Sequence, residues 1–268
     1  MNVEARPAAT LLLFRDSPGG ENEPEVLMLE RHGRSSFGPG AYVFPGGMLE
    51  PEDGSIQAQR VSRGISGKEN AGGKPGPLKP EDALGVHIAA IRETFEETLI
   101  LLAETQNGEP LPKLLSHPED LRKAREAIDK NRGGFFQWLT DNHLVLPTEK
   151  MVYFAHWVTP EGLPIRFSTH FFACCAPEFA QVQPDDNEVV GYLWASPSVL
   201  LSMWERGELK LMDPTLRTLE ILTGYATVEM ILQALNKRRV ETILPKLRIG
   251  EDGSKTIIYP WDGAYQHS

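Results

Sequence analysis

Three glutamates crowd one side of a short segment of this chain. In AIRETFEETLILL, residues 90–102, a helical arrangement brings Glu93, Glu96 and Glu97 together. Like charges at this spacing destabilise a helix, and no Lys or Arg follows three or four residues later to neutralise them. A bound Mg²⁺ or Mn²⁺ would relieve the repulsion, because hard cations prefer carboxylate oxygens. For the glutamates alone, the alternative is the solvated face of an amphipathic helix.

A glycine-rich, acidic segment precedes this helix along the chain. FPGGMLEPED supplies Gly46 and Gly47 and then three acidic residues, the last of which is Asp53. Together the two segments resemble the Nudix box, which runs Gly, five residues, Glu, seven residues and then Arg-Glu-apolar-x-Glu-Glu-x-Gly-apolar. Gly47 matches the first glycine, Asp53 stands where the family has Glu, and residues 92–97 match the Arg-Glu and Glu-Glu core.

Three departures from the box affect the structure that it implies. Thr94 stands where an aliphatic residue is usual. Leu99 replaces the glycine that normally ends the helix, so the helix is predicted to continue through residues 99–104. Thirty-eight residues separate Asp53 from Arg92, an excess of 31 over the family spacing. The excess chain must leave and return to the same point, which is tolerable because loop-closure entropy grows slowly with length.

The insertion that splits the box is itself a point of resemblance to one branch of the family. The split box is similar to the coenzyme A diphosphatase branch of Nudix hydrolases, related to the mammalian peroxisomal acyl-CoA enzyme, which also carries a long insertion before an AIRETFEE-like helix. The similarity extends to residues 166–178 and 188–198 and covers about residues 8–200 with gaps. It implies an α/β (α+β) fold of the Nudix type: a mixed sheet sandwiched between helices, with an insertion inside the box and a helical C-terminal extension.

The resemblance also implies a reaction, the divalent-metal-dependent hydrolysis of a pyrophosphate bond in a nucleoside diphosphate derivative. Coenzyme A or acyl-CoA would give 3′,5′-ADP and (acyl-)4′-phosphopantetheine, whereas ADP-ribose, NADH or a nucleotide sugar would use the same box chemistry. A non-catalytic module that senses a nucleotide is an alternative of another class. A scaffold whose tail helices bind a partner protein is a third. The intact set of box acids favours the enzyme over the sensor.

The Nudix box implies roles for particular residues. Glu93, Glu96 and Glu97 would hold Mg²⁺ or Mn²⁺, with Glu93 and Glu97 side by side at i and i+4. Arg92 would serve the catalytic centre by orienting a carboxylate through a fork-shaped hydrogen bond. Its partner would be Glu93 or a carboxylate of the loop between residues 47 and 53.

A general base must complete the predicted site, because the attacking water has to lose a proton. In many members of the family the base lies on a loop before a late strand, where this chain offers Asp185, Asp186 and Glu188. Glu188 is the favoured candidate, since it lies six residues before Trp194, as in the family pattern. Glu93 is its rival, because some members use a box residue. A charged turn leading into a strand is the structural alternative.

Two kinds of residue are candidates for binding the substrate. Gly46 and Gly47 let the backbone approach the helix and the ligand without a side-chain clash. Arg166 precedes a strand and could hold a phosphate, and Arg34, with Arg31 nearby, could meet the diphosphate or a 3′-phosphate. Ordinary surface charge is the alternative for each arginine.

The composition of the chain limits its partners. The 268 residues carry a formal charge of −10, which argues against nucleic-acid binding but permits a CoA-like nucleotide bound through a divalent cation. The two cysteines are adjacent and form no disulfide framework, so a reducing compartment and a cytoplasmic location are expected. No apolar run is long enough to cross a membrane, so no membrane association is expected.

The elements that must position the site are predicted to form one domain over residues 1–268. Residues 54–82 are polar and rich in Gly and Pro, which indicates an insertion that is either a substrate lid or a decorative loop. Residues 117–145 are predicted to form a helical elaboration, and residues 200–268 a C-terminal helical extension. Amphipathic helices in the extension fit packing onto the domain or onto the mate in a homodimer. Strands are predicted at 8–15, 25–31, 41–44, 151–160, 165–177 and 187–196, and the box helix at 82–103.

Overall fold

The computed structural model of this chain describes residues 3–18, 23–35, 37–64, 77–111, 117–130, 134–178, 180–185, 188–250 and 252–267. Its helices are α1 (Ile56–Arg60), α2 (Pro80–Thr98), α3 (Pro118–Lys130), α4 (Gly134–Asp141), α5 (Pro197–Glu205), α6 (Asp213–Glu220) and α7 (Val228–Lys237). Its first seven strands are β1 (Arg6–Arg15), β2 (Glu25–Arg31), β3 (Ala41–Val43), β4 (Gly46–Met48), β5 (Ser62–Arg63), β6 (Glu104–Thr105) and β7 (Leu144–Pro147). The others are β8 (Val152–Val158), β9 (Phe167–Cys175), β10 (Val189–Ala195), β11 (Lys210–Leu211), β12 (Thr242–Ile243), β13 (Lys246–Ile249) and β14 (Lys255–Ile258).

Nine of the described strands form one mixed sheet. Its order is β11-β3-β2-β1-β9-β8-β12, with β10 also paired to β2 and β4 also paired to β1. The strands predicted at 8–15 and 25–31 form the antiparallel pair of β1 and β2, whereas β1 runs parallel to β9 along almost its whole length. The strand β1 therefore lies near the centre of the sheet, between the N-terminal and C-terminal halves of the chain.

Alternation along β1 places helices on both faces of the sheet. Leu13 belongs to the same core cluster as Phe95 of α2, whereas its neighbour Phe14 belongs to a second cluster with Leu235 of α7. Successive side chains of a strand point to opposite faces, so α2 covers one face and α7 the other. The predicted fold, a mixed sheet sandwiched between helices, is confirmed.

The C-terminal extension is joined to this sheet by backbone pairing as well as by packing. Strand β11 pairs with β3, and β12 pairs with β8 at the opposite edge. Ser196 caps α5 by accepting a hydrogen bond from the backbone of Val199, as its position before Pro197 predicts. These contacts support one domain over residues 1–268, which stays a prediction. No helix in the described part of the chain has the length and apolarity to span a bilayer.

The excess chain inside the box is fixed where it leaves the glycine loop. Ser55 accepts a hydrogen bond from the backbone of Ala58 and so starts α1. Strand β5 then pairs in parallel with β7, at the end of the predicted helical elaboration. Arg63 donates from Nε to Glu149 at 2.6 Å and contacts Glu104 as well. The predicted insertion, residues 54–82, lies partly outside the described residues, since residues 65–76 are not among them. The substrate lid and the decorative loop both stay predictions.

The box helix ends earlier than the sequence predicts. Helix α2 stops at Thr98, and Leu99 takes a left-handed conformation with φ of 59° and ψ of 10°. The prediction that the helix continues past Leu99 is therefore wrong. Thr98 stabilises the turn, because its Oγ1 accepts a hydrogen bond from the backbone N–H of Ile100 at 3.0 Å. The helix ends where the family glycine would end it, although a buried leucine stands there.

Substitutions at this turn should reveal backbone strain. We expect Leu99→Gly to be more stable than Leu99→Ala by about 1 kcal/mol, since both lose the buried side chain and only glycine relaxes the left-handed backbone. Urea unfolding of the two variants measures the difference. The control is Ala90→Gly in the interior of α2, where glycine should be less stable than alanine by about 1 kcal/mol. Equal stabilities for the two variants at position 99 would contradict the strain.

Three histidines are buried against the sheet. The rings of His156 and His170 stack at 4.3 Å, and His87 lies 4.2 Å from the ring of Phe172. Burial lowers the pKa of His87 and of His156 to about 4. Burial, and then the charges of His156 and His87, lower the pKa of His170 to about 3. All three imidazoles are therefore neutral near neutral pH.

Protonation of His170 should destabilise the folded protein in acid. The pKa of His170 in the folded protein lies below its unfolded value of about 6.5. At pH values between these two pKa values the unfolded state binds more protons, so stability falls as the pH decreases from about 6.5. Relative to His170→Gln, the wild-type free energy of unfolding should fall by about 1.4 kcal/mol per pH unit below about pH 6. Denaturant unfolding at several pH values measures this slope. A difference that does not change with pH would contradict the prediction.

Candidate active site

Asp53 and Arg92 meet in space, although 38 residues separate them in the chain. The two carboxylate oxygens of the fully buried Asp53 accept hydrogen bonds from Arg92 Nε at 2.9 Å and Nη2 at 3.0 Å. Asp53 Oδ2 also accepts from the backbone N–H of Glu50, at the start of the 3₁₀ turn Pro51–Gly54. The bidentate pair therefore joins the glycine loop to the box helix, as a split box requires.

Arg92 uses all five of its N–H donors at this junction. Besides Asp53, its Nη2 reaches the carbonyl of Met48 at 3.0 Å, and its Nη1 reaches Glu93 at 2.9 Å and Glu96 at 3.2 Å. Arg92 and Glu96 stand at i and i+4, so Glu96 has a basic partner on its N-terminal side, although no Lys or Arg follows the glutamates at this spacing. Although burial alone would lower it, the surrounding carboxylates raise the pKa of Arg92, which stays charged.

The two glycines of the loop lie directly against the box glutamates. The backbone N–H of Gly46 donates to Glu97 Oε2 at 2.9 Å. A Cβ added to Gly47 would lie 2.4 Å from the carboxyl carbon of Glu93, and one added to Gly46 would lie 2.3 Å from the carbonyl oxygen of Ala9. A side chain at Gly46 would collide with the backbone of β1, whereas one at Gly47 would displace the carboxylate of Glu93. The backbone therefore approaches the helix as expected, and contact of these glycines with a substrate stays a prediction.

Burial controls the charge of two box glutamates. It raises the pKa of Glu93 to about 7, against the opposing charge of Arg92. It also raises the pKa of Glu97 well above its usual range, and the negative charges of Glu93 and Glu188 act in the same direction. Neighbouring carboxyls that ionise with difficulty are the kind of donor set that a doubly charged cation would stabilise.

The box glutamates fit a hard divalent cation in their donor chemistry. Glu93, Glu96 and Glu97 offer only carboxylate oxygens, which Mg²⁺, Ca²⁺ and Mn²⁺ prefer. In the present conformation Arg92 neutralises Glu93 and Glu96, and no three acidic, His or Cys side chains within the described ranges converge closely enough to hold an ion. Side-chain rotation would therefore have to precede coordination. The predicted metal ligands stay a prediction.

A cavity of about 910 Å³ opens beside the box helix. Arg92, Glu93 and Glu96 line it together with Arg31 and Glu188. The last two meet because β10 pairs antiparallel with β2: Glu188 comes directly before β10, and Arg31 is the last residue of β2. The sheet therefore brings the predicted base, Glu188, to the same cavity as the box.

The structure does not bring Arg166 or Arg34 to this cavity. Arg166 is buried and donates to the carbonyls of Thr159 at 3.0 Å and Val3 at 2.6 Å. Arg34 is exposed, and neither arginine is among the described residues that line the cavity. These positions do not support the predicted phosphate contacts. Arg31 lines the cavity instead, and its buried Nε has no hydrogen-bond partner among the described residues.

The sheet between helices and the joined box define the chain as a Nudix hydrolase. A family model described as the NUDT19 Nudix domain matches residues 5–222, and the chain belongs to that family. The resemblance to the Nudix family and its acyl-CoA branch is thereby confirmed. Nudix hydrolases generally require a divalent metal ion.

Two similar proteins carry a name that states an activity. Acyl-coenzyme A diphosphatase NUDT19 of Xenopus laevis is 29% identical over 90% of this chain and 71% of its own length. The Homo sapiens protein of the same name is 28% identical over 90% of this chain and 72% of its own length. Among solved structures, a NUDIX hydrolase from Alicyclobacillus acidocaldarius superposes with a TM-score of 0.71 at 26% identity, covering 87% of this chain and 97% of that one. The fold is therefore shared over most of the chain.

Proposed function

We propose that this protein hydrolyses the pyrophosphate bond of coenzyme A or acyl-CoA, releasing 3′,5′-ADP and (acyl-)4′-phosphopantetheine. The observation that carries the proposal is the junction at Arg92, which joins the glycine loop to the intact box glutamates at the wall of a large cavity. The activity in the names of the two NUDT19 relatives supports this substrate class. A small CoA-like nucleotide is therefore the proposed partner, and a homodimer and a cytoplasmic location stay predictions.

We assign Mg²⁺ or Mn²⁺ to Glu93, Glu96 and Glu97. When bound, such a cation neutralises the diphosphate and makes water a stronger nucleophile. Glu97 is held in place by the backbone N–H of Gly46, so its carboxylate points to the contact between loop and helix. Arg92 positions Glu93 and Glu96 by hydrogen bonds from the same nitrogen. These contacts orient the acidic face in the absence of the cation, and Glu93 and Glu96 would have to rotate away from Arg92 to bind it.

Two further residues have proposed roles in the cavity. Arg31 is our candidate for contact with the diphosphate, since it lines the cavity and its Nε is unpaired among the described residues. Glu188 is our candidate for the general base, and its backbone N–H donates to Asp185 Oδ1 at 3.1 Å. Glu93 is the rival base, because a pKa of about 7 suits proton transfer near neutral pH. Asp186, the other predicted candidate, lies outside the described residues.

Replacement of Glu188 separates the two candidate bases. We expect Glu188→Gln to lower kcat by about 10²- to 10⁴-fold with little change in KM, because the variant cannot accept the proton of the attacking water. Steady-state kinetics with saturating Mn²⁺ measures both constants. Glu161→Gln, at an exposed turn, is the control and should match the wild type. A loss smaller than about threefold for Glu188→Gln would exclude it as the base and favour Glu93.

The substrate is tested by incubation with coenzyme A, an acyl-CoA, ADP-ribose and NADH, each with Mn²⁺ or Mg²⁺. Chromatography of the products should show 3′,5′-ADP and phosphopantetheine from coenzyme A. Turnover of ADP-ribose without turnover of coenzyme A or acyl-CoA would overturn the proposed substrate but leave a Nudix hydrolase. Binding of a nucleotide without any hydrolysis would favour the sensor instead.

A further inference from the structure

The C-terminal extension supplies part of the cavity wall. Pro245, Ile257 and Tyr259 line the same cavity as the box helix. They belong to the hairpin of β13 and β14 and its flanking residues, beyond residue 222, where the family match ends. Trp157 of β8 lines the cavity beside them, with its ring 6.3 Å from the ring of Tyr259. We call Trp157, Pro245, Ile257 and Tyr259 the C-terminal wall.

Tyr259 is held on several sides. Its hydroxyl donates to the carboxylate of Asp213, at the start of α6. Its ring stacks on Trp261 at 5.0 Å with parallel planes, and Arg217 lies over it at 5.6 Å. Only 8% of Tyr259 is exposed. The C-terminal wall is therefore a fixed aromatic surface.

A row of paired residues leads from the glycine loop to this wall. Met48 pairs with Ala8, Ala8 pairs with Thr169, and Thr169 pairs with Trp157, on the successive strands β4, β1, β9 and β8. All four residues line the cavity. Three interstrand spacings amount to about 14 Å, which corresponds to roughly a dozen bonds of an extended chain. This length is comparable with the arm between the phosphorus and the sulfur of coenzyme A.

The charges differ between the two ends of the row. Arg31 and Arg92 are the only cations among the described lining residues, and both lie at the box end. The lining group with a negative charge near the C-terminal wall is Asp213. Arg217 lies over Tyr259 but does not line the cavity, so Asp213 is the charge that a ligand would meet there, and it would repel a phosphate group such as the 3′-phosphate of an adenosine. The wall therefore suits the uncharged half of the substrate.

We propose that the C-terminal wall binds the acyl group of an acyl-CoA whose diphosphate lies at the box, with the pantetheine arm along the row of paired residues. The proposal rests on the proposed function and adds to it the residues that select for the acyl chain. The length of the row, the apolar wall and the position of the two cations all agree with this orientation. The length of the acyl chain is then recognised mainly by residues beyond 222, which the family match does not include.

Kinetics of Ile257→Ala with free CoA and with acyl-CoA of increasing chain length test the proposal. We expect kcat/KM to fall about tenfold for decanoyl-CoA, mainly through KM, and less than twofold for free CoA. Ile257→Val should show a smaller loss in the same direction, which guards against misfolding as the cause. Ile249→Ala is the matched control, because Ile249 lies in the same hairpin but is 64% exposed.

Binding of decanoyl-pantetheine, measured by calorimetry, separates this proposal from the proposed function. The compound lacks the nucleotide and the diphosphate, so its affinity does not depend on hydrolysis. Weaker binding to Ile257→Ala than to the wild type would support the wall even if coenzyme A were not hydrolysed. Equal binding, or an equal loss of kcat/KM for free CoA, decanoyl-CoA and ADP-ribose, would overturn the proposal.

Discussion

Glu97→Gln is expected to lower kcat for coenzyme A hydrolysis by about 10³-fold while the protein remains folded. The variant keeps the shape of the side chain and an oxygen that can accept the Gly46 N–H, but it cannot supply the negative charge that Glu97 would carry beside a bound cation. Since the acidic face is proposed to hold the cation, the loss should appear in kcat and persist at high Mn²⁺. Product chromatography and circular dichroism together measure activity and folding.

Glu81→Gln is the matched control for this variant. Glu81 lies in the first turn of the same helix and is exposed, so its replacement should leave kcat unchanged. A Glu97→Gln variant that retains more than about a tenth of wild-type activity would contradict the assigned role. If nucleotide binding and the biological effect survived this replacement intact, the sensor would be favoured over the enzyme.

Arg92→Met is expected to lower the free energy of unfolding by about 3–5 kcal/mol. Removal of the guanidinium leaves Asp53 without its bidentate partner, and this carboxylate has no solvent-exposed surface. A buried carboxylate that loses its partner retains the whole penalty of leaving water. Urea unfolding measures the change.

Arg217→Met provides the comparison at the surface. Its partner is Glu220, and both side chains are 41% exposed, so the change should be less than about 1 kcal/mol. The contrast sets a buried ion pair against an exposed one, although Arg217→Met also removes the contact of Arg217 with the ring of Tyr259. A loss below about 1 kcal/mol for Arg92→Met would show that the junction does not stabilise the fold.

The acidic core of the site could be predicted because its residues keep a fixed spacing on one helix. Gly47 and Asp53 could be matched to the Nudix box as well. The excess chain between Asp53 and Arg92 left their distance from the helix in space undetermined. The chemistry of a guanidinium predicted a hydrogen bond from Arg92 to Glu93 or to a carboxylate of the loop, and the structure has it to Glu93 and to Asp53.

Other features depend on contacts between distant segments and leave no local pattern. Arg31 reaches the cavity because β2 pairs with β10, and no spacing in the sequence fixes that register. The left-handed turn at Leu99 depends on Thr98, whose carbonyl also accepts from the backbone of Gln183. The sequence could not exclude Arg166 as a phosphate ligand, because its hydrogen bonds to the carbonyls of Val3 and Thr159 are visible only in the folded structure.

The most direct test of the site is a crystal soaked in Mn²⁺ and measured at the manganese absorption edge. We expect an anomalous peak in contact with the carboxylate oxygens of Glu93 and Glu97, with Glu96 as a further ligand. The peak should weaken or vanish in Glu97→Gln and persist in Glu81→Gln. A well-ordered helix with no manganese beside these carboxylates, or with the ion bound elsewhere, would contradict this expectation.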